Sequence, residues 1–157
     1  MPDRYFEDFS VGETFETGIA SITEQDILAF AHAFDPQPWH LEANEAAKQP
    51  FDGLVASGWH TTAIAMRLVV DCGFLRTTGV LGVGIDELRW PRPVRPGSTL
   101  RVRGEVRSLE PPPAGRRAGT MRVLLTAIDQ SNESVLTEIA ILRVPTRPSS
   151  RKNLVNQ

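Results

Sequence analysis

From Trp59 to Cys72 the chain reads Trp-His-Thr-Thr-Ala-Ile-Ala-Met-Arg-Leu-Val-Val-Asp-Cys, a helical stretch apolar on nearly every side, with Gly73 placed to cap its end. A helix of that kind has to be enclosed by other structure. At 1.5 Å per residue it is roughly 20 Å long, enough to fill the concavity of one curved sheet. Everything after it reads as strand: 80–89, 100–106, 121–128 and 135–144. The second of these alternates strictly, Leu100, Val102 and Val106 against Arg101, Arg103 and Glu105. The connections are short, marked by Pro91, Pro93 and Pro96-Gly97, by Pro111-Pro112-Pro113-Ala114-Gly115, and by Asn132. Parallel pairing would need crossovers of about a dozen residues, so the sheet is antiparallel. The expected fold class is α+β, a curved antiparallel sheet wrapped around one long central apolar helix.

A chain of 157 residues is long enough to bury a core, and it reads as one domain over 1–145 with a tail over 146–157 that has little to bury. The last strands are apolar on both faces, Val135, Ile139 and Ile141 against Leu136, Ala140 and Leu142, and a homodimer is expected to cover them. A formal net charge of −2 leaves no electrostatic footprint for nucleic acid or an anionic membrane. The arginines between Arg89 and Arg107 lie on an alternating pattern and read as a solvated face. Cys72, the single cysteine, excludes an intramolecular disulfide framework and reads as a small core residue. The start of the chain lacks a signal-peptide pattern, and Arg67 breaks the longest apolar run short of a membrane span. A soluble, cytoplasmic protein is expected.

Ahead of the central helix, Tyr5 to Ile19 reads as a leading strand. Ile22-Thr23-Glu24-Gln25-Asp26-Ile27 then carries a helix start: Thr23 can cap, Asp26 brings its charge to the first turn, and Ile22 can staple onto Ile27. Ile27, Phe30, Ala31 and Phe34 mark its buried face. Pro36 ends this helix at Asp35 by forcing extended geometry on the residue before it. The segment that follows, Asp35-Pro36-Gln37-Pro38-Trp39-His40, sets a carboxylate and an imidazole five positions apart where two prolines keep the chain out of a helix. A short helical stretch over 41–48 is the next element. Ala56-Ser57-Gly58-Trp59-His60 then puts a glycine at the start of the central helix. An acid/base pair followed by a helix-opening glycine suits chemistry beside a carbonyl. His32 and His60 read as structural, although His60 lies close enough to Gly58 to line the same site. His32, His40 and His60 lack the paired spacing of zinc motifs, so no metal site is expected. Ser57-Gly58 stands outside any Gly-x-Ser-x-Gly frame, which argues against a nucleophilic triad.

These residues resemble the hydratase motif of the MaoC-like (R)-specific enoyl-CoA hydratases, a family with the hot-dog fold. The family pattern runs Asp, any residue, Asn, Pro, any residue, His, and later a glycine that opens the central helix. In this chain Gln37 takes the Asn position, and Ser57 stands before Gly58 where a His is frequent. Val94-Arg95-Pro96-Gly97-Ser98-Thr99-Leu100 also resembles the family's turn into a strand, so the likeness runs from about residue 5 to 145. The resemblance implies reversible hydration of a 2-enoyl thioester, of the kind used in fatty acid metabolism. Asp35 and His40 would hold and activate the water, and the Gly58 N–H would face the thioester oxyanion. Gln37, Ser57 and Trp59 would contact the acyl group. No separate cofactor is implied, since CoA arrives as part of the acyl-CoA substrate, with arginines near Arg89 to Arg103 available to its phosphates. Two alternatives remain open. A thioesterase on the same fold would carry its carboxylate on the central helix, where only Asp71 is offered. A non-catalytic acyl-thioester-binding module would keep the fold with the pair misaligned.

Overall fold

The computed structural model describes residues 3–42, 44, 51–76 and 79–148. Among the described residues three helices, α1 (Glu24–Phe34), α2 (Pro38–Leu41) and α3 (Gly58–Asp71), accompany six strands. The strands are β1 (Thr14–Glu16), β2 (Ala20–Ser21), β3 (Leu81–Arg89), β4 (Thr99–Glu110), β5 (Ala118–Ile128) and β6 (Ser134–Pro145). They pair antiparallel in the order β1-β4-β5-β6-β3, with β2 on the start of β4. Alternation explains the core. Val102 and Val106 of β4, Met121, Val123 and Leu125 of β5, and Leu136, Ala140 and Leu142 of β6 bury one face against Ala65, Leu68 and Val69 of α3.

The leading segment is not one strand. A short 3-10 turn at Phe6–Asp8 precedes β1, and Thr17 interrupts the pairing with β4. Its N–H donates to the Val102 carbonyl and its Oγ1 accepts the Val102 N–H, both at 2.9 Å. A side-chain oxygen thus replaces a backbone carbonyl, and the ladder resumes only at Ala20. The capping of α1 is as the sequence predicts: Thr23 Oγ1 accepts the Asp26 N–H at 3.1 Å, and Asp26 Oδ2 accepts the Thr23 N–H at 2.9 Å. Ile22 and Ile27, on either side of that cap, are both buried.

Three expectations are corrected. Phe34, assigned to the buried face of α1, is 75% exposed. Phe30 takes the inward position instead, stacked on His60 at 4.7 Å, and Phe34 lies against the outer side of Phe30 at 5.1 Å. The helix α3 is not enclosed all round. His60, Thr61, Thr62, Ala65, Leu68 and Val69 are buried, while Trp59, Met66 and Val70 form an exposed stripe. The uncovered apolar surface also lies elsewhere than on β6, whose Val135 is buried and whose Ile139 and Ile141 are half-buried within the single chain. It continues from α3 to β3, the free edge of the sheet, where Leu81, Val83 and Ile85 are exposed.

Past β6, Thr146 donates its N–H to the Arg117 carbonyl at 2.9 Å, and Arg147 bonds the carboxylates of Glu7 and Asp8, so these two residues are tied to the domain. The rest of the expected tail, from 149 on, and most of the 41–48 stretch lie outside the described residues. Among the described residues no helix is long and apolar enough to cross a membrane.

Glu138 departs from the apolar pattern of β6. It lies between Leu136 and Ala140 on the inward face, opposite Leu125, with both carboxylate oxygens buried and without a partner. Burial pushes its carboxyl above the usual range. A raised folded-state value means that ionisation costs stability as pH climbs above the unfolded value near 4.3. Glu138→Leu is therefore expected to stabilise the chain by about 1 kcal/mol or more at neutral pH. Urea unfolding at several pH values checks this, with a gain that grows from pH 4 upward and is smaller in acid.

Candidate active site

Asp35 ends α1, its N–H still donating to the Ala31 carbonyl at 3.0 Å. The following residues are not wholly non-helical, contrary to expectation. Pro38 begins the single turn α2, because a proline in the first helical position gives up only an N–H that has no partner there. That turn lifts His40 inward, where its side chain is 9% exposed beside an 18% exposed Asp35. His40 Nδ1 lies 2.8 Å from the Val55 carbonyl, which only accepts, so Nδ1 carries the proton. In the neutral ring Nε2 is then the basic nitrogen, 3.4 Å from Asp35 Oδ2.

The carboxylate is held by two donors: Ser57 Oγ at 2.6 Å on Oδ2 and Gln37 Nε2 at 2.6 Å on Oδ1. The Ser57 hydroxyl is the main reason the Asp35 carboxyl sits below its usual range. Partial burial opposes that shift, and the Gln37 amide and His40 add to it. Ser57 and Gln37, expected against the acyl group, are thus the two side chains that bond the Asp35 carboxylate. Ser57 is 1% exposed and also caps α3, accepting the Trp59 N–H at 3.2 Å.

Gly58 begins α3, so its N–H is among the helix-end donors left without an intrahelical acceptor. Its lack of a side chain has a reason that the sequence could not supply. A Cβ there would stand 2.5–2.9 Å from three atoms of the Trp90 indole. Trp90 is held in place by its Nε1, which donates to Thr62 Oγ1 at 3.1 Å. His40, Gly58, Thr61 and Trp90 line a cavity of about 310 Å³, closed by Trp39, Phe51, Val55 and the Pro91–Val94 segment. Asp35 adjoins it, its Oδ2 3.4 Å from His40 Nε2. Trp59, 56% exposed, meets Trp90 edge to face at 5.3 Å. A larger groove of about 730 Å³ lies toward the other end of α3 between Met66, Val70 and the sheet, remote from the Asp35–His40 pair.

His60 stacks on Phe30 with ring centroids 4.7 Å apart. Burial pushes its imidazole down, Asp26 opposing, and its Nδ1 has no partner. His32 is exposed on α1. Asp71 is exposed and paired with Arg67 at 2.7 Å. Of the arginines, Arg101 and Arg103 pair with Glu16, and Arg107 with Glu105, as a solvated face should. Among the described residues no cluster of His, Cys, Asp and Glu could hold a metal ion. Sequence reasoning missed Trp90 and the Val55 carbonyl. Trp90 sits in a strand-to-proline junction without a chemical motif, and any residue type can supply a carbonyl.

The Asp35–His40 pair thus lies at the N-terminal end of a helix packed in a curved antiparallel sheet, the arrangement of the hot-dog fold. Residues 8–127 match the MaoC-like domain family, and the chain belongs to that family. A 3-hydroxybutyryl-CoA dehydratase of Methylorubrum extorquens is 32% identical over 91% of this chain and 85% of its own length. The crystal structure of a MaoC-like dehydratase from Rhodospirillum rubrum superposes with a TM-score of 0.87 at 38% identity, over 92% of this chain and 99% of that one. R-hydratase PhaJ1 from Pseudomonas aeruginosa gives 0.71 at 27% identity, covering 91% and 86%.

Ser57→Ala removes the main influence that lowers the Asp35 pKa, so an NMR titration of that carboxyl should show it rising. A group depressed in the folded state stabilises above its unfolded value, near 3.9, and loses that contribution as pH falls through the folded one. The variant should accordingly show less stability than wild type at neutral pH and a smaller further loss in acid. Gly58→Ala should cost about 1–3 kcal/mol by overpacking against Trp90. Most of that cost should vanish in a Trp90→Ala background, as a double-mutant cycle by urea unfolding would measure.

Proposed function

We propose that this protein catalyses the reversible hydration of a 2-enoyl thioester, with an acyl-CoA as substrate, and that it works as a homodimer. The observation that carries the reading is the tautomer-locked His40, its Nε2 3.4 Å from a carboxylate kept ionised by Ser57 and Gln37. Water held between Nε2 and Asp35 gives a proton to this pair while its oxygen bonds to the β-carbon. The π electrons move through the α-carbon onto the thioester oxygen. That oxygen develops negative charge at the N-terminus of α3, where the Gly58 N–H and the helix dipole oppose it. The pair then returns a proton to the α-carbon, so one water is added and nothing else is consumed. Asp35 stabilises the imidazolium formed on the way. The reverse sequence dehydrates a 3-hydroxyacyl thioester.

Relatives named as hydratases and dehydratases of CoA thioesters support this class of reaction. The thioesterase alternative has little to rest on, because Asp71 is exposed, paired with Arg67, and at the far end of α3 from His40. The homodimer is supported by the apolar stripe of α3 and the free β3 edge, which together form the kind of surface a second copy covers.

The test follows the enoyl-thioester absorbance with crotonyl-CoA. Wild type should consume it without releasing free CoA, and Asp35→Asn and His40→Ala should each lower turnover by about a hundredfold or more. Near-normal turnover in either variant would overturn the mechanism, and free CoA would point to the thioesterase.

A further inference from the structure

Gly58, Thr62, Met66 and Val70 recur at every fourth position and so lie along one stripe of α3. Gly58 opens the stripe in the wall of the catalytic cavity of about 310 Å³, and Met66 and Val70 continue it into the groove of about 730 Å³. Two apolar spaces thus share one helix face, and the Trp90 indole lies across that face between them. Its ring covers Gly58, where a Cβ would stand 2.5–2.9 Å from three of its atoms. Its Nε1 donates to Thr62 Oγ1 at 3.1 Å, and the Thr62 hydroxyl donates in turn to the Gly58 carbonyl at 3.0 Å. Thr62 is 8% exposed under this cover, whereas Met66 is 42% and Val70 62% exposed further along.

The ring is held by more than its hydrogen bond. Pro91 and Pro93 stiffen the chain after it, and Trp59 meets it edge to face at 5.3 Å. Before it, β3 slips register between Asp86 and Arg89, and Glu87 there holds φ at 53°, in the left-handed region. A bulge of this kind re-aims the end of a strand. The cavity so closed is at the small end of ligand sites, which run from about 300 to 1,000 Å³. We propose that Trp90 sets acyl length, stopping the catalytic cavity short of the groove so that only short 2-enoyl thioesters fit with their carbonyl at Gly58. The inference rests on the hydratase reading above and names the substrate class of that site. Along the axis Thr62 lies about 6 Å from Gly58. Laid along the stripe, the three C–C bonds of a four-carbon acyl chain span less than about 5 Å, whereas the seven of an eight-carbon chain span about 9 Å. The longer chain would have to pass through the space that the indole fills.

The test compares crotonyl-CoA with trans-2-octenoyl-CoA in wild type, Trp90→Ala and Thr62→Val, with urea unfolding to show that each is folded. Wild type should favour the four-carbon substrate in kcat/KM by about a hundredfold or more, within the reach of an apolar wall acting on several methylenes. Trp90→Ala should narrow that ratio by about tenfold or more. Thr62→Val, which frees the indole without removing it, should narrow it by less, and carries the test if Trp90→Ala does not fold. A wild type that turns over both chains alike or prefers the longer one, or a ratio unchanged in either folded variant, would overturn the proposal. Calorimetric titration with the thioethers S-butyl-CoA and S-octyl-CoA, which cannot be hydrated, separates this inference from the hydratase reading. Selective binding of S-butyl-CoA by wild type that is lost in Trp90→Ala upholds the gate even if crotonyl-CoA is not hydrated. Hydration of crotonyl-CoA together with equal binding of the two thioethers overturns the gate and leaves the hydratase. Binding of neither thioether by wild type overturns the gate as well.

Discussion

The Ser57 hydroxyl donates to Asp35 Oδ2 at 2.6 Å and accepts the Trp59 N–H at 3.2 Å, so one oxygen closes the start of α3 and holds the carboxylate that ends α1. Two helices arriving from different directions are registered to each other through that atom. The consequences reach His40, because Asp35 faces its Nε2 while the Val55 carbonyl fixes its Nδ1. Without this registration the acid/base pair would be two side chains on separate elements. The interaction is strong because it is charge-assisted and nearly dry, with Ser57 1% exposed.

The helix so registered is located by aromatic rings lying over glycines. Near its start, Trp90 covers Gly58, where a Cβ would be 2.5 Å from the ring. Just past its end, Phe74 stacks on Phe15 at 4.0 Å, and Phe15 in turn lies over Gly104 of β4, leaving a Cβ only 2.1 Å of room. Between these points the inward residues of β4, β5 and β6 supply a continuous apolar floor.

Charge is distributed to match. The outer face carries its arginines in pairs with Glu16, Glu105 and Glu110, each worth little in exposed surroundings but keeping the face neutral. Against that background the apolar edge of β3 stands out as a surface left uncovered by a single chain.

The sequence by itself determined the α+β class, the four long strands with their turns, the capping of α1 by Thr23 and Asp26, and the candidate trio of Asp35, His40 and Gly58. Those features depend on local periodicity, on proline and glycine geometry and on short spacings, all of which act between near neighbours. Only the tertiary structure decided the rest. It bonded Ser57 and Gln37 to Asp35, turned Phe34 and one stripe of α3 outward, broke the leading strand at Thr17, and brought Trp90 across to Gly58. Each of these involves a partner far along the chain, as with Ser57 and Asp35 22 residues apart or Trp90 and Thr62 28 apart. Periodicity tells which face of an element is apolar. Which partner that face meets, and which polar atom finds which, is settled only when the sheet curls around α3 and distant segments compete for the same space.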